Sequence, residues 1–312
     1  MFRRCVTVSK TLILSNTKLL TWASDRGIYT ITNVTPDYAE ITTKGIPYGF
    51  DNRTGKWGIW NLSLFLDGAK FKARQSEVFM NISDTDNNMC ETSTFIMLKM
   101  ILNYINPKVY QFDYLDPINL TVTKELCEPG TSTHSTVTKL IHSDTGELLV
   151  ERLAKLCRVD NETHRPVKWS PQFHQMFSHL KDRGMPKVLK KTSTPIPTSP
   201  PDCFKWTFKS RYSDMDVKMH ANQSMYIKSC IDCATEASMN GQLDQFNGDI
   251  IWYPVKYLSI NYIAETFAND TLTVNMWQHN KDVSILYFSV WSDALKKIVT
   301  FIEVKIDLNK IK

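Results

Sequence analysis

The sequence predicts an α+β fold, in which an antiparallel sheet packs on one long helix and the unit occurs twice. Three observations carry this. The run Ser83-Asp84-Thr85-Asp86 to Met89-Cys90 recurs as Ser213-Asp214-Met215-Asp216 to Met219-His220, with Ser, Asp, Asp and Met at a constant offset of 130. Each copy precedes apolar residues at helical spacing: Phe95, Leu98, Leu102 and Ile105 in the first, Tyr226, Cys230, Ala234 and Ala237 in the second. Spacings of three and four place such residues on one face of a helix. Segments rich in Val, Ile, Thr, Tyr and Phe follow each helix, as strands require.

Before the repeated runs, Phe71–Ile82 and Phe204–Tyr212 read as extended. After the first helix come Ile118–Leu126, Ser135–His142 and Glu147–Val159. After the second come Val255–Phe267, Leu272–His279, Ser284–Trp291 and Ile298–Ile306. Asp144-Thr145-Gly146, Asn269-Asp270 and Asn280-Lys281-Asp282 supply turns. A helix that follows one strand and precedes a meander packs most simply on one sheet face. Tyr29–Val34 and Ala39–Thr43 read as strands and Trp57–Leu66 as a further one, either completing the first sheet or extending it.

Asp160–Pro201 carries one helix, Pro171–Lys181, and then Pro186, Pro195, Pro197, Pro200 and Pro201. That density reads as an extended connector. The expected organisation is a leader at 1–25, a first unit at 26–160 with 26–66 as its extension, a basic Pro-rich linker at 161–202 and a second unit at 203–312.

The chain has 312 residues and a net charge of +5, and the surplus is local. Arg3, Arg4, Lys10 and Lys18 give residues 1–24 a charge of +4 without one acid; residues 165–191 carry +6. The remainder sums to −5, so the body lacks the basic face that nucleic-acid binding demands. No long apolar run predicts a membrane span. The leader lacks the unbroken apolar stretch of a secretory signal and has the composition of a mitochondrial or chloroplast transit peptide, or of a loosely packed N terminus. Seven scattered cysteines suggest reduced thiols. The expected location is intracellular, mitochondrial or otherwise cytoplasmic. Asn-x-Ser/Thr triplets at Asn33, Asn61, Asn81 and Asn161 are then chance matches. Cys230 and Cys233 lie in a helical pattern without a second pair, which favours core thiols over a metal or redox site.

Arg211–Ile227 resembles a signature of hotdog-fold thioesterases, most closely the plant and bacterial acyl-ACP thioesterases, which carry two hotdog domains in one chain. The matching positions are Ser213, Asp214, Asp216, Val217, His220, Asn222, Tyr226 and Ile227. Leu258–Thr266 resembles the strand that ends in the family's catalytic Glu, here Glu265. The likeness is specific over about 204–267 and loose elsewhere. It implies a tandem double hotdog, each sheet wrapped around a central helix with the thioester near the helix N terminus. It also implies hydrolysis of a fatty acyl thioester of acyl carrier protein or coenzyme A, with no cofactor or metal.

On that resemblance Asp216, His220 and Glu265 are the catalytic candidates; Lys218, Asn222, Tyr226 and Thr266 are the substrate-binding ones. Thioester hydrolysis needs an activated water or nucleophile and donors for the tetrahedral oxyanion. His220 titrates in the range that suits proton transfer, and Glu265 can act as a base. Each has a structural alternative. Asp216 suits a helix cap, His220 a packed site, Glu265 a solvated strand end, Asn222 a helix start and Tyr226 the core.

Two positions depart from the plant-type pattern. Lys218 stands where that pattern has Asn, and Thr266 where it often has Cys. Lys218 either stabilises an oxyanion or pairs with Asp216 and Glu265; the second outcome favours a non-catalytic acyl-binding protein, or acyl transfer or hydration on the same scaffold. In the first repeat Asp86 aligns with Asp216 but Cys90 replaces His220, which makes that half structural or acyl-binding. The basic linker offers charge complementarity to an acidic carrier protein. The duplicated unit supplies the pairing that single-hotdog proteins reach as dimers, and leaves further homodimerisation open.

Overall fold

The computed structural model describes residues 28–47, 49–76, 78–80, 93–112, 118–181, 184, 186–190, 196–216 and 218–310. The leader, Cys5, the Ser83–Cys90 run with Asp86, Pro195 and Val217 lie outside them.

Among the described residues eleven strands form one antiparallel sheet. In chain order they are β1 (Thr30–Val34), β2 (Tyr38–Lys44), β3 (Ser93–Ile105), β4 (Asn119–Leu126), β5 (Thr133–His142), β6 (Leu148–Asp160), β7 (Phe204–Lys209), β8 (Val255–Tyr262), β9 (Thr271–Gln278), β10 (Ile285–Ser292) and β11 (Lys297–Ile306). Among the described residues the α-helices are α1 (Ile59–Gln75), α2 (Pro171–Met176), α3 (Lys187–Lys190) and α4 (Gln223–Met239). The strand order is β1-β2-β4-β5-β6-β3-β8-β11-β10-β9-β7. β3 and β8 meet at the centre through Lys99↔Asn261 to Leu102↔Leu258 and join the two halves. β1 and β2 complete the first half of the sheet, with β2 paired to β4.

The first half corrects three expectations. Trp57–Leu66 is not a strand: Ile59, Leu62, Phe65, Leu66, Ala69 and Ala73 form the buried stripe of α1. Helix α1 runs to Gln75, so Phe71–Ile82 is not an extended run. The stretch containing Phe95, Leu98, Leu102 and Ile105 is β3, not a helix. As a central strand it is apolar almost throughout, broken in its middle only by Lys99, and such a run carries neither period.

The duplication is real, but its offset is 164 and not 130. The antiparallel bridge Asp51↔Trp57 corresponds to Met215↔Ala221. Asn52 N–H donates to Lys56 O at 2.7 Å, as Asp216 N–H does to His220 O at 2.8 Å. Thr54 N–H donates to Asn52 Oδ1 at 2.7 Å, as Lys218 N–H does to Asp216 Oδ1 at 2.8 Å. A left-handed residue sits in each turn, Gly55 at φ 75° and Met219 at φ 64°. A 17-residue helix follows each. The counterpart of Asp216 is therefore Asn52, not Asp86, and that of His220 is Lys56.

The two helices pack on each other and on the sheet within one apolar cluster. The connector is tied down at its start: Trp169 stacks on Phe173 with ring centroids 3.9 Å apart, and Phe173, Phe177 and Leu180 are buried. Cys230 and Cys233 are buried on α4. No described helix is long and apolar enough to cross a membrane.

Candidate active site

A cavity of about 530 Å³ opens between the halves. Its walls are the second half of α1, the start of β3, the loop before α4 and the end of β8. That size falls within the range of small-molecule sites.

The loop before α4 is built by Asp216. Its Oδ1 accepts the Lys218 N–H at 2.8 Å and the His220 N–H at 3.4 Å. Its own N–H binds His220 O, and its carbonyl accepts Met219 N–H at 2.9 Å. Met219 pays for that closure with a left-handed backbone that a residue bearing Cβ adopts reluctantly. Asp216 thus organises the turn that holds His220, and it also lines the cavity.

Asn222 caps α4, its Oδ1 accepting the Ser224 N–H at 2.9 Å. Met225 N–H turns back to Asn222 O at 3.0 Å. Gln223 N–H has no acceptor among the described residues, as expected in a first helical turn. A donor at a helix N terminus is suited to stabilise a developing negative charge.

His220 and Glu265 come together, Nε2 to Oε2 at 3.4 Å. Both are partly exposed, at 23% and 30%, and both line the cavity. Phe267 packs edge-on against the imidazole with centroids 5.2 Å apart. Thr266 fixes the Glu265 segment. Its carbonyl accepts Ala221 N–H at 2.9 Å, and its hydroxyl meets the Tyr226 hydroxyl at 2.6 Å. Both hydroxyls are buried, so this is a strut between α4 and the carboxylate segment. Tyr226 also borders the cavity, and its phenol is pushed up to about 12, chiefly by burial. Thr266 is only 1% exposed and is not among the residues that line the cavity.

Lys218 reaches across to the other half. Its Nζ donates to Thr94 Oγ1 and, at 2.9 Å, to Phe95 O at the start of β3. Among the described residues no ion pair joins it to Asp216 or Glu265. The pairing that would have silenced both acids is therefore not made. Burial pushes the Lys218 ammonium down from its usual range; Asp216 opposes this, Arg74 adds to it, and Glu265 opposes it.

Sequence reasoning missed much of the cavity wall, including four polar residues. His164, from the turn after β6, places Nδ1 3.7 Å from Glu265 Oε2. Gln223, the first residue of α4, donates to Asp67 Oδ2, and its Oε1 accepts from the Tyr262 hydroxyl at 3.3 Å. Lys70 and Asp67 line the α1 wall and pair at 3.3 Å. Their only sequence signal is the spacing of Asp67, Lys70 and Arg74 along one face of α1, visible once that segment is known to be a helix.

By sequence, no family model and no curated protein matches the chain. By structure, it is similar to an acyl-ACP thioesterase of Bacteroides thetaiotaomicron, with a TM-score of 0.62 over 86% of this chain and 98% of that one. It is also similar to the 12:0-ACP thioesterase of Umbellularia californica, with a TM-score of 0.64 over 88% and 98%. The identities are 12% and 10%. The chain is a double hotdog. At these identities the likeness concerns the fold, and the double hotdog explains why the cavity lies between α1 and α4: each half supplies one wall.

Proposed function

We propose that this double hotdog hydrolyses a fatty acyl thioester, carried on acyl carrier protein or coenzyme A, to free acid and thiol. The observation that carries the reading is the His220–Glu265 pair at 3.4 Å, facing the cavity beside the N terminus of α4. In the proposed step Glu265 takes a proton from water while the water oxygen attacks the thioester carbonyl carbon. The carbonyl oxygen becomes the tetrahedral oxyanion, and Gln223 N–H stabilises it. Collapse re-forms the carbonyl and breaks the C–S bond. The thiolate departs with the proton returned from Glu265 through His220. Thiolates are good leaving groups, which keeps the demand on His220 modest. Asp216 holds the turn, and Lys218 anchors it to β3.

The first half carries Asn52 and Lys56 where the second carries Asp216 and His220. There Arg53 is engaged by Asp249 Oδ1 at 2.6 Å. That half supports the acyl-binding wall and not the chemistry.

The test is a panel of acyl-CoA and acyl-carrier thioesters, with thiol release as the readout. Hydrolysis by the wild type that is lost in Glu265→Gln and His220→Ala supports the reading. Tight acyl binding without turnover supports a non-catalytic acyl-binding protein instead.

A further inference from the structure

The first half holds a group of buried charges that the proposed chemistry does not use. Its sheet presents Leu120, Val122, Lys124 and Leu126 of β4 towards the interior. In register beside Lys124 lie Thr138 of β5 and then Arg152 of β6. Lys124 and Arg152 are 4% and 1% exposed. Across from this row, α1 contributes Asp67 and Lys70, which line the cavity.

The charges do not balance. Asp67 is bound by Arg152 at 3.0 Å, by Lys70 at 3.3 Å and by Gln223. Lys124 Nζ donates to the neutral Thr136 Oγ1 at 2.9 Å. Lys70 and Arg152 thus share one carboxylate among the described residues, and Lys124 has only a hydroxyl. Buried charges are normally paired, because desolvation is costly otherwise. The strain is visible in the lysines. Burial pushes Lys124 well down, and Arg152, Lys70 and Arg74 push the same way. Burial lowers Lys70 too, Asp67 opposing and Arg152 and Arg74 adding. Close by, His134 Nδ1 and Arg152 Nε are buried without a partner. A hydrocarbon tail gains nothing from such surroundings, and an anion would satisfy them.

We propose that the α1 end of the cavity is an anion subsite, with Lys70 at its wall and Lys124 and Arg152 behind it, that takes an oxygen anion carried by the substrate. Two sources share this chemistry: a carboxylate at the far end of the acyl group, and a phosphate of the thiol carrier. The inference rests on the thioesterase reading for its substrate but not for its binding test.

The experiment compares octanoyl and 7-carboxyheptanoyl thioesters, each on N-acetylcysteamine, which has no phosphate, and on coenzyme A. A carboxylate source predicts kcat/KM at least tenfold higher for the carboxylated acyl group on N-acetylcysteamine. A phosphate source predicts the same gain for coenzyme A over N-acetylcysteamine with the plain chain. In either case Lys70→Met reduces the ratio towards one. Lys124→Met does the same if it folds, as judged by circular dichroism. Calorimetric binding of suberate, octanoate and inorganic phosphate runs alongside. If no thioester is cleaved but suberate or phosphate binds and the binding is lost in Lys70→Met, the hydrolase reading fails and the subsite stands. Ratios near one in the wild type, together with no anion binding, overturn the subsite and leave the hydrolase reading to its own assay.

Discussion

Replacing Asp67 by Asn keeps the shape of the side chain and removes its charge. The carboxylate is the shared acceptor for Arg152 at 3.0 Å, Lys70 at 3.3 Å and the Gln223 amide. Through Gln223 it also ties α1 of one half to the first residue of α4 in the other. Without the charge, a guanidinium only 1% exposed and a lysine beside it lose their counter-ion. Removing one partner of a buried pair costs about 3–5 kcal/mol, which at roughly 2–4 °C per kcal/mol lowers Tm by on the order of 6 °C or more. The pH dependence has a definite sign. Burial alone would raise the Asp67 carboxyl, but Lys70 and Arg152 outweigh it and hold it below the usual carboxylate range. A carboxyl depressed in the folded state stabilises above its unfolded value of about 3.9, and that contribution fades as pH falls through the folded value. Denaturant unfolding of wild type and Asp67→Asn between pH 7 and pH 2 measures this. The gap should be full at neutral pH and close below about pH 4. A gap under about 1 kcal/mol at pH 7, the size of an exposed pair, or one that widens on acidification, would refute the reasoning.

Further outcomes follow from the site. Glu265→Gln should lower kcat by about 10²–10⁴ with little change in KM, since a positioned base contributes in that range; stopped-flow thiol detection reads it. Tyr226→Phe removes the strut to Thr266 and should cost about 1 kcal/mol of stability, visible as a shifted denaturant midpoint at unchanged slope. Asn222→Ala deletes the α4 cap and should cost about 1 kcal/mol, while Asn222→Ser largely restores it in the same melt. Gly68→Ala should destabilise despite the better helix propensity of Ala, because its Cβ would lie 2.5 Å from the Tyr29 hydroxyl; Tyr29→Ala in the same chain should reverse the sign.

The second half was legible because its local patterns agree with its burial. Tyr226, Cys230, Ala234 and Ala237 fall on the buried face of α4. β9 and β10 alternate as one-sided strands do. The first half misled for two physical reasons. Trp60, Leu62, Leu64 and Leu66 alternate, so a window ending at Leu66 shows a strand, and the helical stripe appears only when Ala69 and Ala73 are included. Residues 94–102 are apolar almost throughout, because β3 lies at the middle of the sheet, and a continuous run lets a helical subset be drawn from it. Those two errors lent false support to the offset of 130, which came from the recurrence of Ser, Asp, Asp and Met. With α1 in place, Asn52 to Lys56 fall on Asp216 to His220. The site residues of the motif were readable because they are contiguous. Asp67, Lys70 and His164 were not, because tertiary packing alone brings them to the cavity.

The central claim is that the cavity between the halves cleaves a thioester with His220 and Glu265. Its most direct test is single-turnover thiol release from octanoyl-coenzyme A and octanoyl-carrier protein by the purified chain and by Glu265→Gln and His220→Ala, each checked for folding. The account predicts stoichiometric free acid and thiol from the wild type, and loss of about 10²-fold or more in both variants. Wild-type protein that binds the acyl group without releasing thiol, or folded variants that cleave as fast as wild type, would contradict it.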